Sequence, residues 1–77
     1  MEVIPMVKPI HALNESLNSR VIVELRNGLQ YRGVLDGYDP HMNLVIKGAG
    51  EYYNGEEKRK LGLAIIRGDN VIYISPP

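Results

Sequence analysis

Two glycines inside the longest strand-like segment constrain the fold more than any other feature. The pattern over 29–38 predicts a β-strand, and Gly33 and Gly37 interrupt it four residues apart. Glycines inside a strand often mark sharp bends or bulges, as at the corners of a barrel. The strand follows Asn27-Gly28, a dipeptide that supplies the positive φ angles of a tight hairpin turn. We therefore expect a strongly bent strand in a small antiparallel barrel.

The remaining segments predict one helix and four further short strands. Ile10, Leu13 and Leu17 recur at helical spacing after Pro9, a residue suited to the first helical turn. Short apolar runs between turn signals predict strands at Val21–Leu25, Asn43–Lys47, Leu61–Ile66 and Val71–Ile74. Residues 48–60 predict a long hairpin arm with a polar tip at Asn54-Gly55. The fold class expected is all-β with a short N-terminal helix and a five-stranded barrel.

One domain over residues 1–77 follows from the length. We expect an N-terminal arm at 1–7, the helix at 8–17 and the barrel at 21–75. A chain this short buries only about 60% of its unfolded surface, and oligomerisation is one remedy. The last two strands are apolar on both faces, as the pairs Ile65-Ile66 and Val71-Ile72 show. Pairing of one subunit's fourth strand with the next subunit's fifth would cover these edges and close a ring.

Composition excludes several classes of protein. Nine basic and nine acidic residues cancel, which argues against a protein that coats duplex DNA through excess positive charge. The absence of cysteine excludes disulfides and thiolate metal sites. The sequence has neither a run of transmembrane length nor the apolar core of a signal peptide. We therefore expect a soluble cytoplasmic protein.

Two loop segments carry the side chains with recognisable chemistry. They are residues 39–43, Asp-Pro-His-Met-Asn, and residues 66–70, Ile-Arg-Gly-Asp-Asn. His41 and Arg67 can stack on a flat ring, while Asn43 offers both a donor and an acceptor. Together the two segments predict a pocket for a single-stranded nucleobase, recognised by stacking and by hydrogen bonds to its edge.

These motifs, in this order and behind a helix, resemble the Sm/LSm family, close to its archaeal Sm-like members. The first family motif matches Val21–Leu25, Asn27-Gly28, Tyr31–Gly33, Leu35 and Gly37–Val45. The second matches Leu61-Gly62 and Ile66–Val71. The resemblance covers roughly residues 9–75, with the charged hairpin as its variable part.

The resemblance implies a helix-capped Sm barrel that assembles into a homo-oligomeric ring, with a heptamer favoured and a hexamer possible. It implies binding of uridine-rich single-stranded RNA at the inner rim of the ring, as a scaffold or chaperone in RNA processing. A ring for protein assembly with minor RNA binding is the alternative. We therefore expect the protein not to be an enzyme and to bind neither a metal nor a cofactor.

The resemblance also assigns roles to individual residues. His41 and Arg67 would sandwich the base, and Asn43 would bond the uracil edge. Asp69 would orient Asn43, and Gly68 would keep the two loops close. A second RNA contact on the helix side is expected of three further residues. These are Lys8, Asn14 and Tyr38, with Asn14 standing where relatives carry a histidine.

Simpler interpretations stay open for several of these residues, and Lys8, Asn14 and Tyr38 could belong to an ordinary polar helix face. His41 could be an ordinary loop histidine, and Asn43 could serve only an Asx-type turn. Arg67 could be a surface cation paired with Asp69, although a guanidinium can stack through its plane while it bonds through its edge. A ribonuclease using His41 or His11 with an aspartate is disfavoured, because no spacing of metal ligands and no nucleophile–base pair accompanies them.

Overall fold

The bent five-stranded sheet expected from the sequence is present, with the short helix before it. The structure, a computed structural model, describes residues 9–77. The predicted arm at 1–7 and Lys8 lie outside the described residues. The elements are α1 Pro9–Ser16, β1 Arg20–Leu25, β2 Leu29–Tyr38, β3 Leu44–Tyr53, β4 Glu56–Ile66, a 3₁₀ turn Gly68–Asn70 and β5 Val71–Ser75. The predicted fold class is therefore confirmed.

Each strand pairs antiparallel with its neighbours, in the order β4-β3-β2-β1-β5. Within the chain β4 and β5 are thus the two edges of the sheet. The long hairpin arm predicted over 48–60 is confirmed, and its two limbs are formed by β3 and β4, which run further than the strands expected at 43–47 and 61–66. They end only at Asn54 and Gly55, whose φ angles of 51° and 80° suit a tight hairpin turn.

Gly33 lets β2 and β3 approach at the bend. A Cβ atom at this position would lie 2.7 Å from the Lys47 carbonyl oxygen and 2.7 Å from Cγ2 of Ile46. The pairing register shifts beside it, between Arg32 and Val34. The absence of a side chain thus permits the irregularity that bends the sheet. A Cβ at Gly37 would meet atoms only at 4.0 Å, so Gly33 carries the tighter constraint.

The helix covers one end of the core. Its Leu13 is only 3% exposed and joins a cluster drawn from four strands. Asn18 ends the helix with a φ of 64°. Its N–H donates to the Leu35 carbonyl at 2.8 Å, and the Leu35 N–H donates to the Ser19 carbonyl at 3.0 Å. The cluster comprises Leu13, Val21, Val23, Leu35, Leu44, Ile46, Ala49 and Ile66.

The edge strands leave large apolar side chains uncovered. Leu63 and Ile65 on β4 are 61% and 74% exposed, and Ile72 on β5 is 58% exposed. Unpaired strand edges with exposed apolar groups are aggregation hazards unless another chain covers them. The apolar edges inferred from the sequence are therefore present.

Candidate RNA-binding site

The two loops singled out by the sequence lie against each other. One joins β2 to β3, and the other joins β4 to β5. The Gly68 N–H donates to Oδ1 of Asn43 at 2.7 Å. A Cβ at Gly68 would collide with the carbonyl oxygen of His41 and would lie 2.7 Å from the carbonyl carbon of Met42. Glycine at position 68 is thus required for this contact between the loops.

Asp39 organises the first loop from within. Its Oδ1 accepts hydrogen bonds from the backbone N–H groups of His41, at 2.9 Å, and of Asn43, at 3.0 Å. Its Oδ2 accepts from Nδ2 of Asn43 at 2.9 Å. These bonds, that from the Asn43 side chain above all, hold the pKa of the Asp39 carboxyl below its ordinary value. The loop is therefore built around an ionised carboxylate.

The expectation that Asp69 orients Asn43 is wrong. The Asp69 carboxylate instead lies 3.4 Å from Nη2 of Arg67, while Asp39 holds the Asn43 amide. Asp39 shares a short loop with Asn43, so its side chain reaches the amide without leaving the loop. The sequence did contain a signal for this role, since an aspartate before a tight turn commonly bonds backbone N–H groups shortly after it.

The Asn43 amide retains hydrogen-bonding capacity after these contacts. An asparagine side chain offers two N–H donors and an oxygen with two lone pairs. One N–H is given to Asp39, and one lone pair receives the Gly68 N–H. One donor and one acceptor of an amide whose orientation is fixed by these two bonds remain for a ligand.

A cleft of about 460 Å³ lies between the loops. We call it the base cleft. It is lined by His41, Met42, Asn43, Arg67, Gly68 and Asp69, which include every residue predicted for the main RNA contact. His41 is exposed, and the Arg67 side chain is 78% exposed. Both planar groups are therefore accessible to a base, and the weak Arg67–Asp69 pair leaves the guanidinium plane free to stack.

The predicted second contact is brought together in part. The Tyr38 hydroxyl donates to Oδ1 of Asn14 at 3.3 Å and lies 3.4 Å from the Ile10 carbonyl oxygen. Tyr38 thus contacts the helix, whereas Lys8 lies outside the described residues. A neighbouring cleft of about 690 Å³ shares Asn43 and Arg67 with the base cleft and extends to Tyr38. The base cleft and the cleft that reaches Tyr38 therefore lie next to each other.

Two further observations concern residues 9–77. No group of three or more histidine, aspartate or glutamate side chains there is arranged to hold a metal ion. In the same part of the chain, no helix has the length and apolar character needed to cross a membrane.

A bent, helix-capped five-stranded sheet with a cleft between two of its loops defines the class of small β-barrel proteins. The LSM domain model matches residues 11–76. The chain belongs to the LSM-domain family and is similar to its archaeal Sm-like members.

Two curated relatives are close in sequence. The chain is 55% identical over 69 residues to the snRNP Sm-like protein of Archaeoglobus fulgidus, covering 90% of each chain. It is 54% identical over 69 residues to that of Methanococcoides burtonii, covering 90% of this chain and 96% of the relative.

Solved structures match over most of the chain. The Pyrococcus abyssii Sm protein, in complex with a uridine heptamer, superposes with a TM-score of 0.89 at 41% identity, covering 92% of this chain and all 100% of that one. A heptameric archaeal Sm protein superposes with a TM-score of 0.81 at 37% identity, and the match covers 87% of this chain and 97% of that protein.

Proposed function

We propose that this protein is the subunit of a homo-oligomeric ring that binds uridine-rich single-stranded RNA at its inner rim. In this role it acts as a scaffold or chaperone in RNA processing and needs no catalysis. The observation that carries the proposal is the Asn43 amide, held by Asp39 and Gly68 with one donor and one acceptor left. The Sm protein of similar fold that binds a uridine heptamer supports the choice of RNA.

The free groups of Asn43 complement one base better than its closest alternative. Uracil presents a donor at N3 and an acceptor at O4, which the Asn43 oxygen and amino group would satisfy. Cytosine presents an acceptor and a donor at the same positions, so both pairs would be mismatched. An unpaired buried polar group costs about 1–3 kcal/mol, which is enough to select uracil.

The proposed base site combines this edge contact with stacking. His41 and Arg67 line the same cleft as Asn43 and expose their planar groups. Base stacking on such side chains contributes on the order of 1–3 kcal/mol per base. One nucleotide per subunit would be held in this way, and the strand would follow the rim from subunit to subunit.

The ring follows from the two uncovered edges. The β4 edge of one subunit would pair with the β5 edge of the next, burying Leu63, Ile65 and Ile72. Such a contact joins two different surfaces, so repetition closes a ring when the rotation permits. The heptameric archaeal Sm protein of similar fold favours seven subunits, and a hexamer is the alternative closure. We also propose that the ring is cytoplasmic.

Native mass spectrometry of the purified protein, with and without oligouridine, tests both the ring assembly and the binding of uridine-rich RNA. We expect a single closed ring that gains oligouridine. A ring that binds no oligouridine would support the alternative function, a ring for protein assembly with minor RNA binding. A monomer without RNA would contradict the ring.

A further inference from the structure

A second cleft lies on the face of the sheet turned away from the core. Arg32 of β2 pairs with Ile22 of β1 and with Gly50 of β3, and Gly50 pairs with Lys60 of β4. Residues directly paired across strands project from the same face, and successive residues alternate. The adjacent residues Val21 and Gly33 pair with each other and are buried. Arg32 and Lys60 therefore point away from the core.

This outer cleft has a volume of about 440 Å³. Its charged lining residues are Arg20, Arg32, Lys60 and Glu57, and Tyr52 forms part of its wall. It has no residue in common with the base cleft. Three cations against one carboxylate make the outer cleft electropositive, although the whole chain has a net charge of zero.

The cations of the outer cleft are not neutralised within the described part of the chain. Residues 9–77 contain eight lysines and arginines. Their four ion pairs use Lys47, Lys58, Arg59 and Arg67. Of the remaining four cations, Arg20, Arg32 and Lys60 line the outer cleft, and only Arg26 does not. Unpaired positive charge is therefore concentrated at one place on the surface, which attracts anions.

Arg32 is held in place before any ligand arrives. Its Cζ lies 4.2 Å from the centroid of the Tyr52 ring. Its Nη2 donates to Oε1 of Gln30 at 2.9 Å. Its Nε is buried and has no hydrogen-bond partner among the described residues. A stacked guanidinium that no carboxylate neutralises is preorganised for an anion, since little side-chain entropy remains to be lost.

Glycine keeps the floor of the outer cleft open. A Cβ at Gly50 would lie 3.0 Å from Cε1 of Tyr52 and 3.2 Å from Oε1 of Glu57. A side chain at position 50 would therefore require the Tyr52 ring that supports Arg32 to shift by a few tenths of an ångström. The same arrangement places the Glu57 carboxylate at the floor, where it offsets part of the positive charge.

We propose that the outer cleft binds a backbone phosphate of an RNA strand, at a place separate from the base cleft. The choice of RNA as the source of the phosphate rests on the proposed function. Arg20 and Lys60 supply exposed charge, and Arg32 supplies a fixed donor. An RNA that extends beyond the ring's inner rim would be held at its backbone, without regard to base sequence.

The test uses the double variant Arg20→Gln/Lys60→Gln, which alters two exposed side chains and leaves Arg32 and its stacking in place. Two probes are compared on intact rings: oligouridine with one nucleotide per subunit, and a much longer uridine-rich RNA. We expect the variant to bind the long RNA roughly threefold or more weakly at low salt. The slope of log K against log salt should fall by about 0.7 for each phosphate that the variant no longer neutralises. Affinity for the short probe should not change.

The matched control is Arg26→Gln/Lys58→Gln, which removes the same charge from exposed positions outside the outer cleft. Equal weakening by this control would show a general charge effect and overturn the proposal. So would an unchanged affinity and salt slope in the cleft variant. Glu57→Gln should tighten binding of the long RNA.

The experiment distinguishes failure of the outer-cleft proposal from failure of the proposed function. A wild-type ring that does not bind the short oligouridine would contradict the base cleft, whereas the outer cleft is judged on the long RNA alone. Binding of a polyglutamate peptide that exceeds binding of the long RNA, and that the cleft variant loses, would overturn RNA as the ligand and indicate an acidic protein partner.

Discussion

The carboxylate of Asp39 fixes the side-chain amide of Asn43, with Oδ2 of Asp39 accepting from Nδ2 of Asn43 at 2.9 Å. The same carboxylate bonds the backbone N–H groups of His41 and Asn43. One side chain thus sets both the shape of the loop and the direction of the amide proposed to read the base. We therefore expect Asp39 to influence base selectivity as a positioning residue that does not contact the RNA itself.

Asp39→Asn should weaken the preference for oligouridine over oligocytidine. The substituted amide has one acceptor oxygen in place of two, so it cannot hold both backbone N–H groups and the Asn43 amino group. We expect the ratio of the two affinities to fall by roughly tenfold, toward one, because an unfixed amide discriminates poorly. Fluorescence anisotropy with both oligonucleotides at one salt concentration measures it.

Asp36→Asn is the matched control, since Asp36 lies on β2 just before the loop and forms an exposed ion pair with Lys47. Its selectivity should equal that of the unmodified protein. Selectivity retained in Asp39→Asn would show that the Asn43 amide needs no support from this carboxylate.

Asn43→Ala should abolish base selectivity itself. The unmodified protein should prefer oligouridine by about 1–3 kcal/mol per engaged site, and the variant should bind both oligonucleotides alike. Stacking does not depend on the amide, so residual binding should persist. Isothermal titration calorimetry with each oligonucleotide separates the contribution of the amide from that of stacking. A preference that survives in the variant would place base recognition elsewhere.

His41→Ala and Arg67→Gln should separate stacking from charge. Both variants should weaken oligouridine binding by about 1–3 kcal/mol per base if both side chains stack. His41→Ala should leave the salt slope unchanged if His41 contributes by stacking, because a stacking contact neutralises no phosphate. Arg67→Gln should change the slope little if Arg67 mainly stacks, and by about 0.7 per site if it mainly contacts phosphate. Titrations across a salt series measure the affinity and the salt slope of each variant. Unchanged affinity in both variants would contradict binding of a base in the base cleft.

Ile72→Asp should dissociate the ring. Ile72 is 58% exposed on the β5 edge, where the proposed neighbour would cover it, and an unpaired charge there costs roughly 3–5 kcal/mol. Analytical ultracentrifugation at micromolar concentration should show smaller species. Tyr53→Asp is the control, because Tyr53 is 43% exposed next to the hairpin turn and outside the proposed contact. An intact ring in Ile72→Asp would contradict the pairing of β4 with β5.

Glu51 should make part of the stability depend on pH. Its carboxylate accepts from the Tyr31 hydroxyl at 2.7 Å and from Arg59 Nε at 3.0 Å. The Tyr31 bond first, and then Arg59, hold the pKa of the Glu51 carboxyl below its ordinary value of 4.5. Because the Glu51 pKa is lower in the folded state than in the unfolded state, ionised Glu51 stabilises the folded protein at pH values above the unfolded-state pKa. This stabilisation is lost as the pH falls through the folded-state pKa.

Glu51→Gln should therefore be less stable than the unmodified protein at neutral pH, and the gap should narrow below about pH 4.5. Urea unfolding followed by circular dichroism at a series of pH values measures it. Glu56→Gln, at an exposed position of the same hairpin, should show no such narrowing. A gap that does not change with pH would mean that the contribution of Glu51 does not depend on its ionisation.

The sequence by itself determined the features that depend on neighbouring residues. Asn27-Gly28 marks the first hairpin, where Gly28 has a φ of 85°, and Asn54-Gly55 marks the second, where both residues have positive φ angles. Gly33 marks the bend, since only glycine permits the close backbone there. The two loop motifs identified the lining of the base cleft, because their short spacing brings His41 close to Asn43 and Arg67 close to Gly68.

The tertiary structure alone decided which groups meet across the chain. The Asn43 oxygen meets the Gly68 N–H 25 residues further along the chain, a contact that exists only once the two loops lie against each other. The outer cleft joins Arg20, Arg32 and Lys60 from three strands, and their shared face depends on the register. The register shifts at bulges beside Gly33 and near Gly50, and a shift of one residue would turn side chains to the opposite face. Local sequence preferences do not encode that offset, because it results from the packing of whole strands around the core.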